Sequence, residues 1–337
     1  MLGDDDAKAV ELGREALAMA EELELDEVRV GVLNTIGVSR VKIGDRDGLA
    51  DIERSLEIAQ SGSPAKTRGF INLGSTLEEL GELRRSIELH EEGLREAELA
   101  GAPGPIRWLR AERGWDEYLS GRWKEAMVHV EEFLAEAETR ERHYMDVAAF
   151  QVRALIRSAS GNEAGSLADS GRVLDLARGA QDPQVLNPAL AFQSRLLIAS
   201  GRRTEALPFV DELVERLRAG GTGFLSYWMS PLVVVLTELG RPSDIEMIAG
   251  KATISTRWLE AARAYATGDH SEAADIYADI GCVPDEAYAR LRAAEALIAA
   301  GRRAEGDAQL QQALSFYRSV GATAYIREAE DLFAASA

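Results

Sequence analysis

The sequence predicts an all-α chain folded as a right-handed α-solenoid of about eight helix-turn-helix units, running as a single array over residues 1–337. Three observations predict it: the residue choice, a glycine that returns at near-constant spacing, and apolar stripes of helical period on either side of that glycine. Of the 337 residues, 46% are hydrophobic and 28% charged, which is enough apolar material for an extended core and too much for a disordered chain. Ala, Leu, Glu and Arg dominate and β-branched runs are rare, so helix is favoured along most of the chain.

The glycines set the units. In "KIGDRDG", "ELGELRRS", "LSGRWKEA", "ASGNEAGS", "ASGRRTEA", "ELGRPSDI", "ATGDHSEA" and "AAGRRAEG" a glycine closes an apolar stretch and a polar residue opens the next. These are Gly44, Gly81, Gly121, Gly161, Gly201, Gly240, Gly268 and Gly301, spaced by 37, 40, 40, 40, 39, 28 and 33 residues. Periods of roughly 33 to 47 residues with two helices per unit mark helical repeats. Helices commonly end on a left-handed residue, a conformation glycine adopts without a Cβ penalty, so each glycine turns the chain. Thr204, Ser243 and Ser271 then fall where second helices need N-caps, and "SDIE" from Ser243 fits a capping box. Pro208 lies in the first turns of a second helix, while Pro64, Pro103, Pro105, Pro183, Pro188 and Pro284 are expected between units.

Each half-unit carries a stripe. Phe70, Leu73, Leu77 and Leu80 recur at three and four, leaving Asn72, Thr76 and Glu79 opposite, and Leu83, Ile87 and Leu94 continue the pattern in the partner helix. Two such helices cannot cover their own apolar faces, so the hairpins must stack. "DAKAVELGREALAMAEEL" reads as a second helix, with Val10, Leu17 and Ala20 on one side. The first repeat is therefore expected to be truncated, its face covered by the rest of a longer protein or by self-association through that end. The shorter period after Gly240 predicts a change of superhelix near 241–256.

"NLGSTLEELGELRRSIELHEEGL" resembles a tetratricopeptide repeat, with Leu73 and Gly74 in its first helix and small Ser86 and Gly93 in its second; "NTIGVSRVKIGD" repeats this with Ile36 and Gly37. The period near 40 exceeds the usual ~34 of that motif. "GDRDGLADIERSLEIA" and the stretch from "RWLEAARAYATGDHSEAADIY" to the end are similar to the carboxy-terminal helical regions of bacterial ATPase-containing LuxR regulators of the maltose-activator type and of class III adenylate or guanylate cyclases. That resemblance implies a sensory or regulatory tail, with nucleotide chemistry and DNA binding outside the repeats.

The residues that would carry chemistry are scarce. A formal charge of -19 speaks against direct nucleic-acid binding, which needs a concentrated positive footprint. The acidic amino terminus is unlike a secretory leader, and "PLVVVLTEL", the most apolar stretch, is too short for a membrane span. With Cys282 alone there is neither an internal disulfide nor a cysteine zinc site, and a reducing, cytoplasmic setting is the expectation. No phosphate-binding glycine loop is present; "GSPAKT" from Gly62 lacks its second glycine and follows a helix. His90, His129, His143 and His270 share no zinc spacing, and Cys282 has no partner base. No catalytic residue, metal or cofactor is expected.

Two features remain. The arginine pairs Arg202 with Arg203 and Arg302 with Arg303 follow turn glycines, where positive charge suits a helix C-terminus and Glu205 and Glu305 offer local partners; turn chemistry accounts for them. "PIRWLRAERGWDEYLSGRW" places Trp108, Trp115 and Tyr118 on one helical face, flanked by Arg107, Arg110 and Arg113. This stripe either packs as core or forms an aromatic patch on the concave surface, where tryptophan and arginine are favoured anchors. "GTGFLSYWMSP", with Phe224, Tyr227 and Trp228, is a second aromatic group with the same two readings. The expected function is a non-catalytic scaffold whose concave face takes a protein or peptide segment, or a small effector, with Trp108, Arg110, Arg113, Trp115 and Tyr118 as binding candidates.

Overall fold

The computed structural model describes residues 6–137, 144–220 and 225–335. Among the described residues every regular element is a helix, and there are eighteen. His143 and Phe224 lie outside the described residues. A leading helix, α1 (Asp6–Glu22), packs on the first of a series of hairpins. In order these pair α2 (Asp26–Lys42) with α3 (Gly48–Ile58), α4 (Pro64–Leu80) with α5 (Leu83–Ala100), α6 (Pro103–Leu119) with α7 (Trp123–Ala137), and α8 (Asp146–Ala159) with α9 (Glu163–Ala180). There follow α10 (Pro183–Ala199) with α11 (Arg203–Ala219), α12 (Met229–Glu238) with α13 (Asp244–Ala249), α14 (Arg257–Ala266) with α15 (His270–Ile280), and α16 (Val283–Ala299) with α17 (Arg303–Val320). A last helix, α18 (Thr323–Ala335), closes the series. The protein is an α-solenoid.

The turn inside each hairpin is one of the eight spaced glycines, and all eight have φ between 71° and 95°. At each of them the next residue donates its backbone N–H to the carbonyl five positions earlier, at 2.7 to 3.0 Å, as in Arg122 to Glu117 and Arg302 to Leu297. This bond satisfies a carbonyl freed at the helix end, which is why the turn recurs with so little variation. Arg202 and Arg302, which follow the glycines, bond locally, to Glu205 at 2.6 and 2.7 Å and to Glu305 at 2.6 and 2.8 Å, while Arg241 bonds Asp244 at 2.9 Å and also Asp211 at 2.6 Å.

Several local expectations need correcting. Asp269, not Ser271, caps α15, its carboxylate accepting from the Glu272 N–H at 3.0 Å. Arg202 rather than Thr204 holds the cap position of α11, because the glycine turn already delivers the chain into helix there. Ser243 stands at the cap of α13 but makes no side-chain cap bond, so "SDIE" forms no capping box. Pro64, Pro103, Pro183 and Pro284 sit in the first turns of α4, α6, α10 and α16, where a missing N–H is harmless. Pro188 is not between units but inside α10.

The stripes are buried as their period requires. Phe70, Leu73, Leu77 and Leu80 are core residues, and Thr76, expected on the outer side, is buried with them. α12 is buried at every residue from Met229 to Leu236, because it packs against α10, α11, α13 and α14. Its apolar run is that of an interior helix wrapped by neighbours.

The array also returns onto itself. α14 abuts α4, α16 abuts α6 and α18 abuts α8, each the carboxyl end of an early first helix against the amino end of a later one. A Cβ on Gly81 would come within 2.7 Å of Arg257 Cβ, and one on Gly121 within 3.2 Å of Val283 Cγ1. Thr323 Oγ1 donates to the Ser160 carbonyl at 2.9 Å, Thr253 Oγ1 to the Lys42 carbonyl at 2.9 Å, and Arg84 to the Ala278 carbonyl at 3.2 Å. Helices set end to end place the partial negative charge of one terminus against the partial positive charge of the next, which favours the contact. The later units thus form a second layer seated on the glycine turns of the earlier ones.

Candidate functional site

A cavity of about 190 Å³ opens between α4, α6, α8 and α10. Its walls follow a register set by the turn glycines. Trp108, Ala148, Pro188 and Tyr227 each stand thirteen residues before their own glycine, Glu112 and Phe192 nine, and Ser75 and Trp115 six. α6, α8 and α10, with the turn that enters α12, therefore present equivalent positions to one space.

The aromatic stripe is divided by this geometry. Trp108 and Trp115 line the cavity; Trp108 stacks on Tyr144 at 5.7 Å with planes 10° apart, and Trp115 meets Tyr227 edge-on at 5.2 Å. Tyr118 stacks on Trp115 at 5.6 Å but lines a neighbouring, more enclosed cavity of about 60 Å³. Arg110 and Arg113 line neither: Arg110 pairs with Glu136 at 3.0 Å and Arg113 with Glu117 at 3.3 Å. Arg107 reaches Asp146 at 2.9 Å. From the second aromatic group, Tyr227 faces the larger cavity while Trp228 is core.

Carboxyls form part of the lining. Glu78 and Glu112 are buried and Glu79 is partly so, and all three line the cavity. Glu78 accepts the indole N–H of Trp115 at 2.8 Å. Behind them His90 Nδ1 pairs with Asp116 at 3.0 Å, both buried. The Leu73 and Gly74 pair makes room for this, since a Cβ on Gly74 would strike the His90 ring. Burial, with the neighbouring Glu112 and Asp116, holds the Glu78 carboxyl well above the usual range. Burial likewise pushes Glu79 up to about 8 and Glu112 up to about 7; Lys42 opposes the first shift and His90 the second, without cancelling them. Burial disfavours a charged His90, but Asp116, Glu112 and Glu78 outweigh it and push the imidazole up to about 9. Gln151 is 5% exposed and faces the cavity with both amide atoms unpartnered, as is the indole N–H of Trp108.

The smaller cavity holds Arg195, whose guanidinium lies 4.5 Å over the Tyr288 ring and 3.4 Å from the Tyr325 hydroxyl. Cys282 is fully buried beside Asp285, its thiol 3.3 Å from that carboxyl and pushed up by burial and by the neighbouring acid. "GSPAKT" is the entry to α4, with Ser63 capping the Lys66 N–H at 3.2 Å. A wider cleft of about 450 Å³ between the starts of α2 and α4 is lined by Asp26, Glu27, Asn34 and Arg68 and has no aromatic wall. Among the described residues, no group of three or more His, Cys, Asp or Glu is arranged to hold a metal ion, and no helix is long and apolar enough to cross a membrane.

Fold and site together define a helical-repeat solenoid with an acidic, aromatic cavity among its first helices. No family model matches the chain, and no curated protein matches it. Among solved structures its fold is similar to that of a Rap protein complexed with competence and sporulation factor. The two share 10% sequence identity with a TM-score of 0.62, over 94% of this chain and 99% of that one.

Proposed function

We propose that this protein is a non-catalytic helical-repeat scaffold of bacterial signalling or transcription regulation, working in the cytoplasm, that binds a protein or peptide segment, or a small effector, on its concave face. The cavity between α4, α6, α8 and α10 carries the reading: four successive first helices line it with Trp108 and Trp115, and it leaves the buried Gln151 amide without a partner. The Rap protein of similar fold is seen complexed with competence and sporulation factor. Trp108, Trp115 and Gln151 are the contact residues of this proposal, with Tyr118 bracing Trp115.

The test is selection of a displayed random peptide library on the whole chain, followed by calorimetry of enriched peptides. Binding that is lost in Trp108→Ala and in Gln151→Ala, with circular dichroism unchanged, supports the scaffold reading. No enrichment above an unrelated control protein, or affinity that survives both changes, overturns it.

A second reading is favoured by the exposed apolar residues Leu12, Met19, Leu23, Leu25 and Val28 along α1 and the start of α2. They suit a contact with a second copy, or with the remainder of an ATPase-containing cyclase or LuxR-type regulator whose nucleotide chemistry lies elsewhere. Sedimentation of the wild type beside Met19→Glu with Val28→Glu separates the two: dissociation of a dimer supports self-association, and a monomer in both excludes it.

A further inference from the structure

The cavity between α4, α6, α8 and α10 is lined by carboxyls and by no basic side chain. Glu78, Glu79 and Glu112 line it, while no arginine or lysine does among the described residues. Elsewhere the protein pairs its buried acids: Asp169 holds Arg153 at 2.8 Å and Arg157 at 2.6 Å, and Asp146 holds Arg107 at 2.9 Å. Buried carboxylates are costly unless a counter-charge meets them, so an unpaired group of them beside open volume stands out. The walls are of the type that attracts cations, since Trp108 with Tyr144 and Trp115 with Tyr227 border the same space. Gln151 adds an independent sign, with its amide nine-tenths buried, facing the cavity and unpartnered at both atoms. Pro188, also in the wall, has no N–H and so leaves the Gln184 carbonyl without its helical donor.

We propose that this cavity binds an organic cation, an ammonium or guanidinium group carried on an apolar or planar body. Glu79 and Glu112 supply the counter-charge, Trp108 and Trp115 the π faces, and Gln151 a hydrogen bond. The volume of about 190 Å³ suits a body of several heavy atoms rather than a bare ion. The proposal rests on the scaffold reading only for the location of the site. A free amine and a basic side chain of a bound peptide present the same chemistry.

Binding is coupled to protons. Around Glu79 and Glu112 stand Lys42 on α2, Glu78 on α4, His90 on α5, Asp116 on α6, and the Tyr144 and Tyr227 hydroxyls. Without a cation beside them, burial keeps Glu79 and Glu112 substantially protonated near neutral pH. A cation among them favours the ionised form, so binding near pH 7 releases protons.

Titration calorimetry of the full chain tests this with benzyltrimethylammonium, benzyl alcohol and benzoate, and with short peptides carrying arginine or its neutral analogue citrulline. The expected result is that the ammonium binds at least about tenfold more tightly than the alcohol and that benzoate does not bind. The expected heats at pH 7 differ between buffers of different ionisation enthalpy by an amount that reports proton release. Glu79→Gln with Glu112→Gln, and Glu112→Gln alone should the pair not fold, lose that preference. Binding of the arginine peptide without the free ammonium assigns the cation to a peptide side chain, and the reverse assigns it to a free amine; both support the proposal. Equal affinity for ammonium and alcohol with no preference for arginine over citrulline, or a preference that survives the glutamine changes, overturns it. A library-selected peptide that binds irrespective of Glu79 and Glu112 leaves the scaffold reading standing and sinks this one.

Discussion

The indole N–H of Trp258 donates to the main-chain carbonyl of Glu78 at 2.7 Å, across 180 residues of chain. The same glutamate accepts Trp115 through its carboxyl, so one residue at the end of α4 joins the returning layer to the wall of the cavity.

Trp258→Phe keeps most of the packing and removes that bond. The Glu78 carbonyl still receives the Gly81 N–H, so the expected loss is only about 1 kcal/mol. Trp258→Ala empties a fully buried site and is expected to cost about 3 to 5 kcal/mol. Chemical denaturation measures both; hydrogen exchange in α14 should rise in the alanine variant, and equal protection in all three proteins would show that the contact does not hold the layer.

Gly81→Ala and Gly201→Ala separate strain from closure. Both positions are left-handed, φ 91° and 71°, and alanine there is expected to cost about 1 to 2 kcal/mol. At Gly201 the new Cβ meets nothing within 4 Å, whereas at Gly81 it lies 2.7 Å from Arg257 Cβ and 3.3 Å from Ile280 Cγ1. Gly81→Ala should therefore lose a further ~1 to 3 kcal/mol, and equal losses would mean that the layers yield freely.

Stability should fall on the alkaline side. Folding favours protonated Glu79 and Glu112, ordinarily at 4.5 and here at about 8 and about 7. Their contribution is full below the ordinary value and is lost as pH rises through the folded values. His90, ordinarily at 6.5 and here at about 9, has the same sign, its contribution being lost as pH passes 9. Thermal melts from pH 5 to pH 9.5 should show the fall, and Glu79→Gln with Glu112→Gln should remove its lower part; a flat profile in the wild type would contradict the burial argument.

Cys282 should be inert in the native protein. Its thiol is fully buried and pushed up beside Asp285, so a thiol reagent is expected to react only at the rate of unfolding and freely in denaturant. Rapid native labelling would show that α16 opens locally at its start.

The units and their turns were legible in the sequence because a left-handed helix end is a local requirement, written in one residue type at one spacing. Trp108 and Trp115 were legible as a stripe, and the glycine register that brings Tyr227 and Phe192 to the same wall was present in the spacing too. The carboxyls were not. Glu78, Glu79 and Glu112 are three among 57 acidic residues, and only their place in the cavity wall distinguishes them from the solvated majority. The second layer was equally hidden, since Thr253 with Lys42 and Thr323 with Ser160 are contacts between segments 211 and 163 residues apart that no local pattern encodes. Asp269 and Ser271 lie two residues apart and both suit a helix start by residue type, so only the structure singles out Asp269 as the cap of α15.

An open helical array can gain or lose a repeat by duplication with little harm, because each repeat meets only its neighbours. Here the layers are in phase: α14, α16 and α18 each meet the helix ten elements earlier. Removing one hairpin from the middle would bring every later helix opposite the wrong turn, with Arg257 and Val283 no longer facing Gly81 and Gly121. The number of units between the two layers is thus fixed by the geometry of closure, and lineages of this fold are expected to vary in loop length and surface charge while keeping that count.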